Sequence, residues 1–372
     1  MSGTPPAISI PDDLKPADGR FGSGPSKVRP EAVEALAATG TEYLGTSHRQ
    51  ATVQFVVGSL RNLLAEILAL PDGYEVLVGN GGTTAFWDAA IFGLIEQRSQ
   101  HLSFGEFSSK FAAGVAAAPH LAEPSVIASE PGTHPRPVAE DGIDAYCLTQ
   151  NETSTGVAMP LSRPADEGLV LVDATSAACA IRVDLSLTDV YYFAPQKALA
   201  ADGGLWIAVC SPAAIERIEA LAASDRWIPS SLDLKIALDN SRKDQTYNTP
   251  ALATIFLAEA QARWVADNGG LEFAAGRSGT SAGILYGWAE ARDFATPFVA
   301  DPAMRSPVVG TIDFDGVDAN TIAAVLRANG IVDTDSYRKL GRNQLRIALF
   351  PAIDPSDVDA LTRCIDFVVE RL

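Results

Sequence analysis

The chain has 372 residues, 47% hydrophobic and 20% charged, which fits a folded globular protein large enough for two cores. A formal net charge of −18 argues against nucleic-acid backbones and anionic membranes as partners, although a cluster of Arg and His can still make one cleft cationic. Cys147, Cys179, Cys210 and Cys364 are far apart with no CxxC pair, and the four histidines form no HExxH, so the cysteines read as reduced, buried thiols rather than a disulfide frame or a zinc site.

Residues 1–20 carry several prolines and charges and read as an extended arm. Pro30 opens a predicted helix to Ala38, with Glu31 in its first turn. Val53, Val56, Val57, Leu60, Leu64 and Ile67 recur at helical spacing, and Pro71-Asp72-Gly73 ends that helix. After a strand at 74–79, strands and helices alternate. Strands are predicted at 100–104, 124–128, 143–149, 168–172, 189–194 and 204–210, and helices at 83–96, 106–118 and 212–223. Such alternation predicts an α/β fold with a mainly parallel sheet and helices on both faces. The strand at 204–210 follows its neighbour after a loop of about ten residues, short for a right-handed crossover, which predicts an antiparallel strand.

A long helix over 250–267 stops at Asn268-Gly269-Gly270. Helix 277–292, strand 307–314, helix 318–328, strand 344–349 and helix 355–371 then make a smaller α+β unit. The expected division is an arm at 1–20, a large domain at 21–267 and a small domain at 268–372. No apolar stretch reaches membrane-spanning length and the Pro-rich start has no signal-peptide core, so the expectation is a cytoplasmic protein.

Three motifs could carry chemistry. In 76-VLVGNGGTTAFWDAA-90 a strand ends in glycines and flows into a helix beginning at Thr83-Thr84. Free N–H groups and the positive end of the helix dipole suit a phosphate there, although a plain capped turn explains the pattern equally well. It is neither a P-loop nor a dinucleotide fingerprint. In 168-GLVLVDATSAA-178, Asp173 closes an apolar strand, where it could hold a protonated ring nitrogen or cap a turn. Lys197 ends the next strand, where it is either a wet surface amine or a nucleophile toward a carbonyl. Taken together, phosphate cradle, carboxylate and amine are three parts of a pyridoxal 5′-phosphate site.

With these motifs, 22-GSGPSKVRPE-31, 46-TSHRQ-50, 81-GGTTAF-86, 151-NETSTG-156, 173-DATS-176, 194-APQK-197, 247-YNTP-250 and 345-LRIALF-350 occur in an order that resembles the phosphoserine aminotransferases, class V members of the fold-type I pyridoxal-phosphate enzymes. The resemblance spans nearly the whole chain. It implies a large domain with a mainly parallel sheet, a smaller C-terminal α+β domain, and a homodimer with shared active sites.

The same resemblance implies roles. Lys197 would form the internal aldimine, Gln196 would touch the cofactor, and Asp173 would pair with the pyridine nitrogen. Thr153 would bond the cofactor's oxygens, and Gly82, Thr83 and Thr84 would hold its phosphate from one subunit. Asn248 and Thr249 would reach that phosphate from the other. Arg346 would fork onto the substrate α-carboxylate, while His48 and Arg49 would meet the distal anion. Phe107 stands where related enzymes carry a ring-stacking tryptophan, or else is a core aromatic of its helix. In 337-YRKLGR-342, Arg338, Lys339 and Arg342 are all candidates for the substrate phosphate.

The implied activity is ping-pong transfer of an amino group from glutamate to 3-phosphohydroxypyruvate, giving 2-oxoglutarate and 3-phosphoserine, in serine biosynthesis and the related route to pyridoxine. Two alternatives are an alanine- or serine–glyoxylate type aminotransferase and a non-catalytic binder of phosphorylated metabolites. A cysteine desulfurase is discounted, because Cys147, Cys210 and Cys364 fall inside predicted strands or the last helix.

Overall fold

The computed structural model describes residues 6–372, so positions 1–5 of the expected arm lie outside the described residues. Two helices come first, α1 (Pro30–Ala38) and α2 (Ala51–Ile67). Alternation then begins with β1 (Glu75–Asn80), α3 (Thr83–Gly93), β2 (Ser99–Ser103), α4 (Glu106–Ala116) and β3 (Ser125–Ala128). Next come β4 (Ala145–Thr149), the short hairpin of β5 (Asn151–Glu152) and β6 (Val157–Ala158), then β7 (Leu169–Asp173), β8 (Val190–Phe193) and β9 (Leu205–Cys210). Helices α5 (Pro212–Ala222), α6 (Leu234–Ser241), α7 (Leu252–Asp267) and α8 (Gly270–Glu290) follow. The chain ends in β10 (Ala295–Pro297), β11 (Val309–Phe314), α9 (Ala319–Ala328), β12 (Gln344–Ala348) and α10 (Pro355–Val369).

The large sheet has the order β1-β9-β8-β7-β4-β2-β3. Strands β3, β2, β4, β7 and β8 are parallel, and β9 runs antiparallel to both of its neighbours, as the short loop before it predicts. Strands β4, β7, β8 and β9 are buried at every position, which is why they read as unbroken apolar runs. Alternate residues serve opposite faces. Val170, Val172, Tyr191 and Ile207 pack in one core with α2 and α7, while Leu169, Leu171, Tyr192 and Ala208 pack in another with α3 and α5.

A third core lies between α8, α9, α10 and the antiparallel sheet β10-β11-β12. Ile10 and Phe21, on either side of the arm's end, are buried in it, and Asn329 clasps the backbone at Ile8 and Ile10 (2.9 Å each). Helix α8 serves two cores, with Ala274 in the first and Leu285 and Trp288 in the third.

Two differences from the predicted elements have physical causes. Helix α8 starts at Gly270 rather than 277, because Gly269 (φ 116°) and Gly270 (φ 66°) reverse the chain and let a new helix begin at once. Its glycines disfavour a helix by propensity, but burial of Ala274, Ala275, Ser278 and Ser281 against neighbours overrides that. Helix α6 was not expected from apolar spacing, although Asp233 caps it by accepting from the N–H groups of Lys235 and Ile236.

Candidate active site

Strands β4, β7 and β8 end at one edge of the sheet, and their register sets Thr149 beside Asp173 and Asp173 beside Tyr192. Carboxyl ends of parallel strands are where open α/β sheets present side chains to a ligand. A cavity of about 520 Å³ opens there. Gly82, Thr83, Thr84, Phe107, Thr153, Asp173, Gln196 and Lys197 all line it. Residues from five separate stretches of sequence thus converge.

Lys197 is buried, and its Nζ donates to the Ser23 carbonyl at 2.5 Å. Burial first, and the Arg346 guanidinium second, push its pKa down to about 8, against a weaker opposing pull from Asp173 and Glu152. An amine so placed loses its proton far more readily than a surface lysine, as a nucleophile must. Burial pushes the Asp173 carboxyl up to about 6, although its Oδ1 accepts from the Thr175 N–H at 2.9 Å. A buried acid of this kind gains from a cation held against it.

At the other end of the cavity, α3 begins at Thr83 with no side-chain cap. Gly82 precedes it in extended backbone, and the hydroxyls of Thr83 and Thr175 are 2.7 Å apart. An uncapped helix start with a flanking hydroxyl pair is suited to an anion. Thr153 donates to Ser176 Oγ at 2.8 Å, which fixes the hydroxyl on the cavity wall.

A second cavity, of about 540 Å³, shares Gly24 and Pro25 with the first and is lined by Tyr337, Arg338, Lys339 and Arg346. Arg346 lies against the Tyr337 ring (5.2 Å to the centroid), and its Nη1 donates to the Thr153 carbonyl at 3.4 Å. Its Nε is buried without a partner. The three phosphate candidates separate here. Lys339 is paired with Glu106, and Arg342 is forked onto Asp313 over the Phe298 ring. Arg338 is exposed and has no carboxylate partner among the described residues.

Besides Arg342, four expected site residues line neither cavity. Asn248 and Thr249 are exposed, with the Thr249 carbonyl accepting from Asn80 Nδ2 at 3.0 Å. His48 is buried, its Nε2 has no partner, and burial and Arg49 lower its pKa. Arg49 itself is exposed. Sequence reasoning missed Trp87, Ser23, Gly24 and Glu152. Trp87 was findable, since it stands four residues after Thr83 on the same helix and therefore on the same face.

Residues 136–335 match the family described as aminotransferase class V. A phosphoserine aminotransferase of Nocardioides sp. is 62% identical over 371 residues, covering 98% of this chain and 99% of that one. The chain belongs to the phosphoserine aminotransferase family of class V. Its fold is shared by the phosphoserine aminotransferase structure from Cytophaga hutchinsonii, with a TM-score of 0.87 at 24% identity over 95% of this chain and 99% of that one. The structure from Bacillus circulans subsp. alkalophilus gives 0.84 at 21% identity over 95% and 99%. The expected fold-type I architecture is therefore present.

As a class V aminotransferase the enzyme works with pyridoxal 5′-phosphate, and the residues at the cavity fit that group. Trp87 Nε1, Asn151 Oδ1 and Gln196 Oε1 line the cavity region as buried polar atoms without partners. Left alone, such atoms are costly, so the cavity suits a polar occupant. The uncapped α3 start matches a phosphate, Asp173 matches a protonated ring nitrogen, and Lys197 matches an aldehyde. No cluster of three or more His, Cys, Asp or Glu among the described residues could hold a metal ion.

Proposed function

We propose that this enzyme moves the amino group of glutamate to 3-phosphohydroxypyruvate, forming 2-oxoglutarate and 3-phosphoserine. The observation that carries this reading is a pair of guanidiniums on one cavity, Arg346 half-buried and Arg338 exposed with no carboxylate partner among the described residues. Two anions on one substrate call for two cationic anchors, and a planar fork suits carboxylate and phosphate alike. A substrate of the alanine–glyoxylate type has one carboxylate and leaves Arg338 without a role.

Bound pyridoxal phosphate supplies a carbonyl that captures amino groups and a ring that accepts the electron pair left when the substrate Cα loses its proton. Lys197 would hold the cofactor through its amine, and the same amine would move the proton at the substrate Cα. Its lowered pKa favours the neutral amine that both tasks need. Asp173 keeps the ring nitrogen protonated. Gly82, Thr83 and Thr84 would hold the phosphate, and Thr153, Gln196, Phe107 and Trp87, which line the same cavity, would hold the rest of the group. Arg346, on the adjoining cavity, would bind the substrate α-carboxylate and so orient its Cα.

The working unit of this reading is a homodimer. Asn248, Thr249, His48 and Arg49 lie off their own chain's cavities, and Phe55 (73% exposed) and Tyr247 add apolar surface near them in sequence. We assign these four residues to the cavity of a second subunit. A cytoplasmic location, supported by four unpaired buried thiols, and a small domain starting at 268 belong to the same reading. The experiment is a half-reaction. Phosphoserine converts the yellow holoenzyme to its amino form at far lower concentration than alanine or serine, and equal potency of the three amino acids overturns the assignment.

A further inference from the structure

Glu152 has no exposed surface and no cationic partner among the described residues, an expensive state for a carboxylate unless hydrogen bonds satisfy it. Five donors do so. They are the N–H groups of Phe107 (3.2 Å), Ser108 (3.0 Å) and Ser154 (3.1 Å), and the hydroxyls of Ser108 (3.0 Å) and Ser154 (2.7 Å). The first three N–H groups of α4 are thereby all met from the β5–β6 hairpin, because Ser154 Oγ also accepts from the Glu106 N–H at 3.0 Å. A helix start is ordinarily capped by its own neighbouring residue. Here that residue is Gly105, and any Cβ on it would stand 2.3 Å from Glu152 Cγ. The glycine makes room for a remote cap, which also places a negative charge at the positive end of α4.

The two pieces so joined carry different walls of the cofactor cavity. Helix α4 brings Phe107, and the hairpin segment brings Asn151 and Thr153. The Thr153 carbonyl in turn accepts from Arg346. We propose that Glu152 is a positioning residue that locks the Phe107 ring to the Asn151–Thr153 wall, so that cofactor ring and substrate arginine stay in one fixed relation. The inference rests on pyridoxal phosphate occupying this cavity. Glu152 itself lines neither of the two cavities.

The test measures cofactor affinity and the visible circular dichroism of the bound cofactor in wild type, Glu152→Gln, Phe107→Ala and the double variant. Glutamine keeps the size but turns an amide donor toward donors. Glu152→Gln is expected to retain its far-ultraviolet spectrum, bind the cofactor about tenfold more weakly and lose much of the visible dichroism. The double variant should lose no more than the worse single variant, since both act through one ring. Additive losses, or a Glu152→Gln protein with wild-type affinity and dichroism, overturn the proposal. If Glu152→Gln does not fold, Ser108→Ala decides, because it removes one donor to the carboxylate. A smaller shift of both signals in the same direction supports the lock, and no shift overturns it. Failure of the wild type to bind pyridoxal phosphate is read separately, and it overturns the functional reading beneath the proposal as well.

Discussion

Gly24 and Lys197 meet so closely that a Cβ on Gly24 would lie 2.1 Å from Nζ and 2.8 Å from Cε. Gly24 also has φ +152°, a conformation that side chains rarely adopt. The segment is anchored on both sides. Ser26 N–H donates to the Gln196 carbonyl at 2.8 Å, and Phe21, itself in the third core, is hydrogen-bonded to the backbone of Val332 and Ala348. Gly24→Ala therefore pushes the amine out of line rather than moving the loop. We expect kcat to fall by about 100-fold, because misplacement by about 1 Å costs that much, and the melting temperature to drop as well, because alanine is strained at this φ. Steady-state kinetics beside a thermal melt checks it, and wild-type kcat contradicts it.

In the proposed mechanism Lys197 holds the cofactor and carries the proton, so Lys197→Ala should abolish both functions. Turnover should fall by at least about 10⁴-fold, with the cofactor bound reversibly and lost on dialysis. A mass spectrum after borohydride treatment checks it. Wild-type protein gains a reduced cofactor adduct on the peptide containing Lys197, and the variant gains none.

The two shifted groups set opposite pH signs in the cofactor-free protein. Lys197 titrates near 8 in the folded state against an ordinary 10.5, so between those values the unfolded chain binds the extra proton. Stability rises with pH across that window, and the full cost is present below about 8. Asp173 titrates near 6 against an ordinary 3.8, so the folded state holds the extra proton between them. Stability falls as pH rises through that window, and the full cost is present above about 6. Asp173→Asn should therefore gain melting temperature relative to wild type as pH rises from 3.8 to 6, while losing turnover by about 10²–10³-fold. A pH-independent difference in melting temperature contradicts the assignment.

Arg338, Lys339 and Arg342 were equivalent in sequence, and their partners now distinguish them. Arg338→Ala should raise KM for phosphoserine by about 10–100-fold and leave the half-reaction with glutamate much less affected. Arg342→Ala breaks a pair with Asp313 on a partly exposed surface and should change stability slightly, with KM unaltered. Initial rates for both amino donors separate the two.

Subunit mixing tests the shared site. Lys197→Ala and Thr249→Arg are each expected to be inactive alone. Refolded together in equal amounts, they should recover about a quarter of wild-type activity, since half the dimers are mixed and each mixed dimer has one intact site. No recovery contradicts the placement of Thr249 on the second subunit's cavity.

Much of this site was legible because Asp173 ends one buried strand and Lys197 follows four residues after the next, and unbroken apolar runs mark such strands. The glycines before Thr83 mark the helix start in the same way. Contacts between distant segments left no such trace. Ser23 meets Lys197 across 174 positions, and Glu152 caps a helix 44 residues earlier. Neither is written in local propensity or period, because each arises from the packing of one unit on another. The shift in the start of α8 has the same origin, since its small residues become favourable only when packed.

The most direct test of the central claim is a titration of purified holoenzyme with phosphoserine, followed by its visible spectrum. The account predicts a saturable loss of the cofactor's visible band, reversed by 2-oxoglutarate or 3-phosphohydroxypyruvate, with alanine and serine effective only at much higher concentration. A protein with no bound chromophore, or one that responds to alanine as readily as to phosphoserine, contradicts it.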